Sequence, residues 1–423
     1  MNSLKLQRFR PNFSKIYEFQ APASKSIACR ALLLAAFSNG CVTVEHDPFC
    51  EDNEAILNCL SALGIKIETR ENALIVHGCG GKNFRRKSDL NVMSAGTCAR
   101  FLPAALAALG GDYFFDASEQ MRRRPMEYLD ELEKAGVSFE YCNEPKHFPF
   151  RMHSNGLKKH SFTVDTQTST QYASALLLAG ALSENPVSVR LTGPRTNGSY
   201  ISMTLALLSA FGAPWERTDD TVIVHRSSKP PERFLIEADV SGACYFYALS
   251  LLFGIKTRVR NIHRNSLQGD TKFLDLLCER GVVFTETEEG LLADGTKVKD
   301  FKGFEENFSD FSDQSITAAA LAPFASSPTR ITGISHTRKQ ESDRVHAIVS
   351  NLNAIGVSAR EEEDAVTIFP STPSGGTIRT FQDHRIAMSF ALTALKTGTL
   401  TIDDPLCCKK TFPRYFDEIE KLF

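Results

Sequence analysis

Basic and acidic side chains recur beside short clusters rich in hydroxyl groups or glycine. These are Ser24-Lys25-Ser26 with Arg30, Ser94-Ala95-Gly96-Thr97 with Arg100, Thr168-Ser169-Thr170-Gln171, Ser241-Gly242, Ser312-Asp313-Gln314 and Asp383-His384-Arg385. Each stands just before a run that reads as a helix. A helix start exposes unpaired N–H groups and about half a positive charge, which suits phosphates and carboxylates. Several such starts facing one cleft would form an anion trap, and Arg124 and Arg344 add cations in the connections. Asp313 at a helix start is expected to be ionised and able to accept a proton from a bound hydroxyl. Lys25 and Lys410 suit neutralising a phosphate or donating a proton. Glu341 lies in the basic run Arg338 to Arg344 and reads equally well as part of a solvated ion-pair face. His384 reads equally well as a structural histidine. Plain N-capping accounts for Ser241 and Ser312.

The elements that must position these groups form an internal repeat of roughly 60–75 residues. Each repeat opens with the polar cluster. An alanine- and leucine-rich helix, a strand, an amphipathic helix ending near glycine, and a closing strand or hairpin follow. In the first repeat the pattern predicts a helix over 27–38, a strand over 41–44, a helix over 51–63 stopped by Gly64, and strands over 65–69 and 73–76. Later helices open near Cys98, Tyr172, Ala243, Ile316 and Ile386, and Gly136, Gly212, Gly281 and Gly356 end the second helices of repeats two to five. The sixth repeat stops at a helix over 414–422. Strand-like segments 4–9 and 15–19 are expected to supply its missing strands, putting both termini in one domain. Two pseudo-symmetric α/β halves of three repeats result: 21–237, and 1–20 with 238–423, joined by short crossovers.

Composition narrows the function classes. The 423 residues suffice for two domains, and the formal net charge of -2 gives no overall basic field for nucleic acid. The longest apolar stretches are too short to cross a bilayer, and no signal-peptide core opens the chain. The 11 cysteines include no C-x-x-C, so neither disulfides nor structural zinc is expected. Reduced thiols in the cytoplasm are the expectation.

Taken together, the motifs resemble those of the 3-phosphoshikimate 1-carboxyvinyltransferase (EPSP synthase) family of enolpyruvyl transferases. Pro22-Ala23-Ser24-Lys25-Ser26 with Arg30 resembles P-G-S-K-S-x-x-x-R, and Ala95-Gly96-Thr97 with Arg100 resembles N-A-G-T-x-x-R. Arg124-Pro125 with Leu129, Ser169-Thr170-Gln171, Arg264-Asn265-Ser266 through Asp270, Glu341-Ser342-Asp343-Arg344, Asp383 to Met388, and Lys410-Thr411-Phe412-Pro413 follow in the family's order. The resemblance implies two domains, each of three βαβαββ repeats in an inside-out α/β barrel, closing over the substrates. It implies transfer of the enolpyruvyl group of phosphoenolpyruvate to the 5-hydroxyl of shikimate 3-phosphate, by a monomer needing no cofactor or metal. On this likeness Lys25, Asp313, Glu341 and His384 are catalytic. Lys25, Ser26, Arg30, Ser169, Thr170, Gln171, Asn197, Tyr200, Asp313, His336 and Gln340 hold the acceptor. Lys25, Ser94, Gly96, Arg124, Gln171, Arg344, Arg385 and Lys410 hold the donor.

Some positions depart from the pattern. Ser94 replaces an asparagine, Phe101 a proline, Asn197 a serine, His336 an asparagine, and Gln340 a lysine that would place a cation at the acceptor. A paralogue using another hydroxylated acceptor and a non-catalytic ligand-binding paralogue are the alternative readings. The related UDP-N-acetylglucosamine enolpyruvyl transferases carry a reactive cysteine before the position of Arg124, and residues 111–123 here contain none.

Overall fold

The computed structural model describes residues 3–167 and 169–423. Residues 1 and 2 and Thr168 of the third polar cluster lie outside that set. The chain divides into two compact units: a central half, Ala23–Glu237, and a terminal half made of Met1–Pro22 with Ala238–Phe423. Buried apolar residues divide the same way. One core runs from Ala23 to Ile236, and the other joins Leu6 to Ala21 with Ala238 to Leu422.

Among the described residues, six sheets follow a single plan. A strand pairs in parallel with the strand that follows the first helix, and antiparallel pairs complete the sheet. In the second repeat, Lys87–Asn91 runs parallel to Gly111–Asp116, which pairs antiparallel with Phe150–Ser154, itself antiparallel to Ser138–Tyr141. The parallel connection needs a crossover helix, and Gly96–Leu109 supplies it. The first helices lie inside each half because they are apolar on all sides. Every residue of Val240–Phe253 is buried, as is every residue from Ile27 to Phe37. A second helix such as Thr271–Cys278 buries one stripe only, Phe273, Leu274, Leu276 and Leu277. The helix Glu51–Ala62 ends at Gly64, whose φ of 81° is the left-handed conformation that ends helices without a Cβ penalty.

The N-terminal strands differ from expectation. Leu4–Lys5 does complete the sixth sheet, antiparallel to Leu400–Ile402. Ile16–Phe19 does not join it and instead runs parallel to Lys256–Arg260 as the leading strand of the fourth sheet. Its side chains explain the choice: Tyr17 and Phe19 point into the terminal core, where Phe19 stacks on Phe246 at 4.1 Å. The leading strand of the first sheet is correspondingly Arg233–Leu235, parallel to Asn39–Glu45. The first and fourth sheets therefore each borrow a leading strand from a distant part of the chain.

Candidate active site

In the central half the polar clusters do sit at helix starts. Ser24 caps Lys25–Phe37 by accepting from the Ile27 N–H, and Ser169 caps Thr170–Gly180 by accepting from the Gln171 N–H at 3.2 Å. Lys25 occupies the first helical position, and its Nζ lies 3.1 Å from Asp52, a carboxylate only 4% exposed. Ser26 follows it, and its carbonyl accepts from Arg30 Nη1 at 2.8 Å. The rest of the Arg30 guanidinium is also committed to neutral oxygens: Thr204 Oγ1 at 2.8 Å, Ser174 Oγ at 3.1 Å and the Tyr200 carbonyl at 3.4 Å. It stacks on Phe101, 4.7 Å from the ring centre. Burial lowers Arg30 to about 10. Arg30 thus ties three helices together around Ser26 and Tyr200, with each guanidinium nitrogen bonding a protein oxygen.

Gly96 opens the helix Gly96–Leu109. A Cβ there would stand 3.1 Å from Arg100 Nη1 and 3.3 Å from Arg124 Nη1, so the absent side chain makes room for two guanidinium groups. Ser94, just upstream, bonds the Ser118 hydroxyl at 2.7 Å. The Arg124-Pro125 segment is fixed by the Tyr172 hydroxyl, which donates to the Pro125 carbonyl at 2.9 Å. Thr170 is buried beside Gly198, and exposed Asn197 lies in the turn before Ser199–Ala210. Lys25, Ser26, Ser94, Gly96, Arg124, Ser169, Thr170, Gln171, Asn197 and Tyr200 therefore belong to one set of packed helix starts and connections.

The terminal half builds a tight ionic cluster. Asp313 sits in the 3-10 turn Ser312–Gln314 that leads into Ser315–Leu321. It accepts from Arg344 Nη1 at 2.8 Å and from Arg385 Nη2 at 2.7 Å. Glu341 accepts from Arg344 Nη2 at 3.1 Å and from Lys410 Nζ at 2.8 Å. Asp383 caps His384–Thr397 by accepting from the Arg385 N–H, and also accepts from Arg344 Nε at 2.8 Å and Ser342 Oγ at 3.0 Å. Arg344 is 1% exposed. Burial alone would lower its pKa, but Asp383, Glu341 and Asp313 outweigh that and hold it above the ordinary arginine range. Gln340 accepts from the same guanidinium, and His336 Nε2 lies 2.9 Å from Ser312 Oγ. His384 is the first residue of its helix, with its ring buried and Nδ1 3.9 Å from Asp383.

Some polar groups occupy places the sequence did not assign. The cap of Val240–Phe253 is Asp239, which accepts from the Ser241 N–H at 3.1 Å. The Ser241 hydroxyl instead bonds Asp270, a carboxyl 5% exposed. Burial, then the charge of Asp313, push Asp270 up to about 7. Ser312 likewise caps no helix, because Phe311 precedes the turn. Asp52 and Asp239 are neighbours of these groups that residue spacing alone did not single out. Asp270 and Asp383 each belong to a motif already noted, although neither was given a role.

The family model for EPSP synthase (3-phosphoshikimate 1-carboxyvinyltransferase) matches residues 17–419. The 3-phosphoshikimate 1-carboxyvinyltransferase of Nostoc sp. is 34% identical over 411 residues, covering 95% of this chain and 96% of the relative. That of Actinobacillus pleuropneumoniae is 35% identical over 418 residues, covering 96% of each. Among solved structures, EPSP synthase from Acinetobacter baumannii superposes with a TM-score of 0.82 at 22% identity, over 99% of this chain and 97% of that one. The enolpyruvyl transferase NikO from Streptomyces tendae gives a TM-score of 0.72 at 16% identity, over 98% and 95%. The fold is that of the enolpyruvyl transferases, and by its sequence the chain belongs to the EPSP synthase (3-phosphoshikimate 1-carboxyvinyltransferase) family.

Proposed function

We propose that this chain transfers the enolpyruvyl group of phosphoenolpyruvate to the 5-hydroxyl of shikimate 3-phosphate, releasing phosphate and 5-enolpyruvylshikimate 3-phosphate. Membership of the family supports the reaction. The observation that carries the residue roles is that Asp313 and Glu341 each lie between two cations and share Arg344. The reaction needs that combination. Phosphoenolpyruvate is a dense anion whose methylene carbon must gain a proton while the acceptor hydroxyl loses one. Arg124, Arg344, Arg385, Lys410 and the amide at Gly96 take the donor's phosphate and carboxylate, with Ser94 and Gln171 beside them. Ser26, Ser169, Thr170, Gln171, Asn197, Tyr200 and His336 orient the acceptor. Arg30 positions Ser26 and Tyr200 from behind.

Protonating the methylene carbon makes its neighbour electrophilic. The acceptor oxygen adds there, and the tetrahedral intermediate then loses a methyl proton as it expels phosphate, restoring the double bond. Asp313 takes the hydroxyl proton, and Glu341 and Lys25 exchange protons with the donor carbon and the leaving phosphate. Asp52 holds Lys25 in place, and His384, buried on Asp383, supports the cluster. Positioning and charge stabilisation carry the acceleration, without a metal or cofactor. The enzyme acts as a monomer in the cytoplasm, where its cysteines remain thiols. Among the described residues no helix is long and apolar enough to cross a membrane.

One observation favours a second reading of the acceptor. Gln340 brings no charge, and its carbonyl faces Arg344. A related hydroxylated acceptor lacking the 3-phosphate would not need that cation. Phosphate release from phosphoenolpyruvate, measured over a panel of acceptors, separates the readings. Shikimate 3-phosphate should give the highest kcat/KM, with Asp313→Asn and Lys25→Ala lowering kcat by about 10²–10⁴-fold. Phosphate release with no acceptor preference, or none at all, would refute the proposal.

A further inference from the structure

The outward face of the first sheet carries a second cluster of reactive groups. The strands Asn39–Glu45, Ala73–Cys79 and Lys66–Arg70 lie side by side in that order. Alternation buries Val42, Val44, Leu74 and Val76 and turns Cys41, His77, Lys66 and Glu68 outward. The register sets Cys41 opposite His77, and His77 opposite Lys66, with Glu68 on the diagonal. Cys41 Sγ lies 3.1 Å from His77 Nδ1, and His77 Nε2 lies 2.9 Å from Glu68 Oε1.

That geometry sets the tautomer. A carboxylate only accepts, so Nε2 carries the hydrogen and donates to Glu68. Nδ1 of the neutral ring then offers its lone pair to the Cys41 S–H, which donates. Nucleophile, base and orienting carboxylate stand in order, each within hydrogen-bond reach of the next. Lys66 Nζ and Arg70 Nη2 lie 2.9 Å and 3.3 Å from Glu68, so two exposed cations rim the cluster. Lys66, then His77, hold Glu68 below the usual carboxylate range, which keeps it an acceptor for the ring.

We propose that Cys41 is a modification site, a thiol that His77 activates as general base and that exchanges with small anionic disulfides. The Cys41 proton passes to His77 Nδ1 as Sγ attacks one sulfur of the small disulfide. A new S–S bond forms to Cys41 and the S–S bond of the reagent breaks. The departing thiolate takes the proton back from His77. Cys41 is oxidised to a mixed disulfide, and half of the reagent is reduced to a thiol. Lys66 and Arg70 favour a reagent bearing carboxylates over a cationic one.

The test incubates the full chain with glutathione disulfide and follows each cysteine by peptide mass. Cys142 is the internal reference, because it is also exposed. Cys41 should react at least about tenfold faster than Cys142. His77→Ala should bring Cys41 down to the Cys142 rate, and Glu68→Gln should fall between. Cystamine, a cationic disulfide, should show a smaller Cys41 advantage than glutathione disulfide. Equal rates at the two cysteines, or an unchanged Cys41 rate in His77→Ala, would overturn the proposal. An equal advantage with cystamine would overturn the anion preference. A folded-state check by circular dichroism accompanies each variant, and His77→Gln repeats the test should His77→Ala unfold.

Discussion

Replacing Asp383 by asparagine probes how the buried arginine is held. Asp383 is 0% exposed and holds Arg344 through Nε at 2.8 Å and Nη2 at 3.3 Å. Breaking a buried ion pair by neutralising one partner costs about 3–5 kcal/mol. Two features reduce that here. Asp313 and Glu341 still neutralise Arg344 at 2.8 Å and 3.1 Å, and the asparagine oxygen still accepts one N–H. The expected loss is therefore about 2–3 kcal/mol. It should appear where Asp383 caps the helix His384–Thr397 through the Arg385 N–H. Hydrogen exchange in the first turn of that helix should accelerate about 30- to 150-fold. The first turn of Lys25–Phe37, capped by Ser24 in the other core, serves as the control and should be unchanged. Exchange within about threefold of the parent at His384–Thr397 would refute the idea that Asp383 anchors Arg344 and its helix together.

Two further outcomes follow from the same geometry. Gly96→Ala places a methyl group 3.1 Å from Arg100 and 3.3 Å from Arg124, so both guanidinium groups must shift. Steady-state kinetics should show KM for phosphoenolpyruvate rising about five- to thirty-fold, the equivalent of about 1–2 kcal/mol, with a smaller change in kcat. An unchanged KM would separate Gly96 from the donor. Asp270 is pushed from the ordinary 3.8 up to about 7, so the folded chain holds its proton more tightly than the unfolded chain does. The stability this provides is full at low pH and is lost as pH rises through about 7. Thermal midpoints of Asp270→Asn across pH 4 to 8 should therefore be flatter than those of the parent, and parallel curves would clear Asp270 of the effect.

What could be read from the chain was what is locally determined. Gly64, Gly136, Gly212, Gly281 and Gly356 all adopt positive φ, a conformation costly for other residues, so the ends of the second helices were visible. The polar clusters were visible because they precede long apolar runs. Partnership between distant strands was not, since nothing within Ile16–Phe19 distinguishes the sixth sheet from the fourth. Reading Ser241 as a cap also failed, because Asp239 suits the position equally well and takes it, while the Ser241 hydroxyl bonds Asp270. One carboxylate behind the site escaped for a similar reason. Asp52 meets Lys25 from 27 positions away, and no spacing rule links the second helix of a repeat to the start of its first.

The borrowed leading strands bear on how the polypeptide is assembled during synthesis. The core of Ala23–Glu237 is complete once its own last strand, Arg233–Leu235, has been made. The opening residues have no such local destination. Ile16–Phe19 must wait for Lys256–Arg260, and Leu4–Lys5 for Thr401 and Ile402 close to the far end. The ribosome thus delivers these strands well before their partners, and Tyr17 and Phe19 face an interval in which chaperone capture competes with correct pairing.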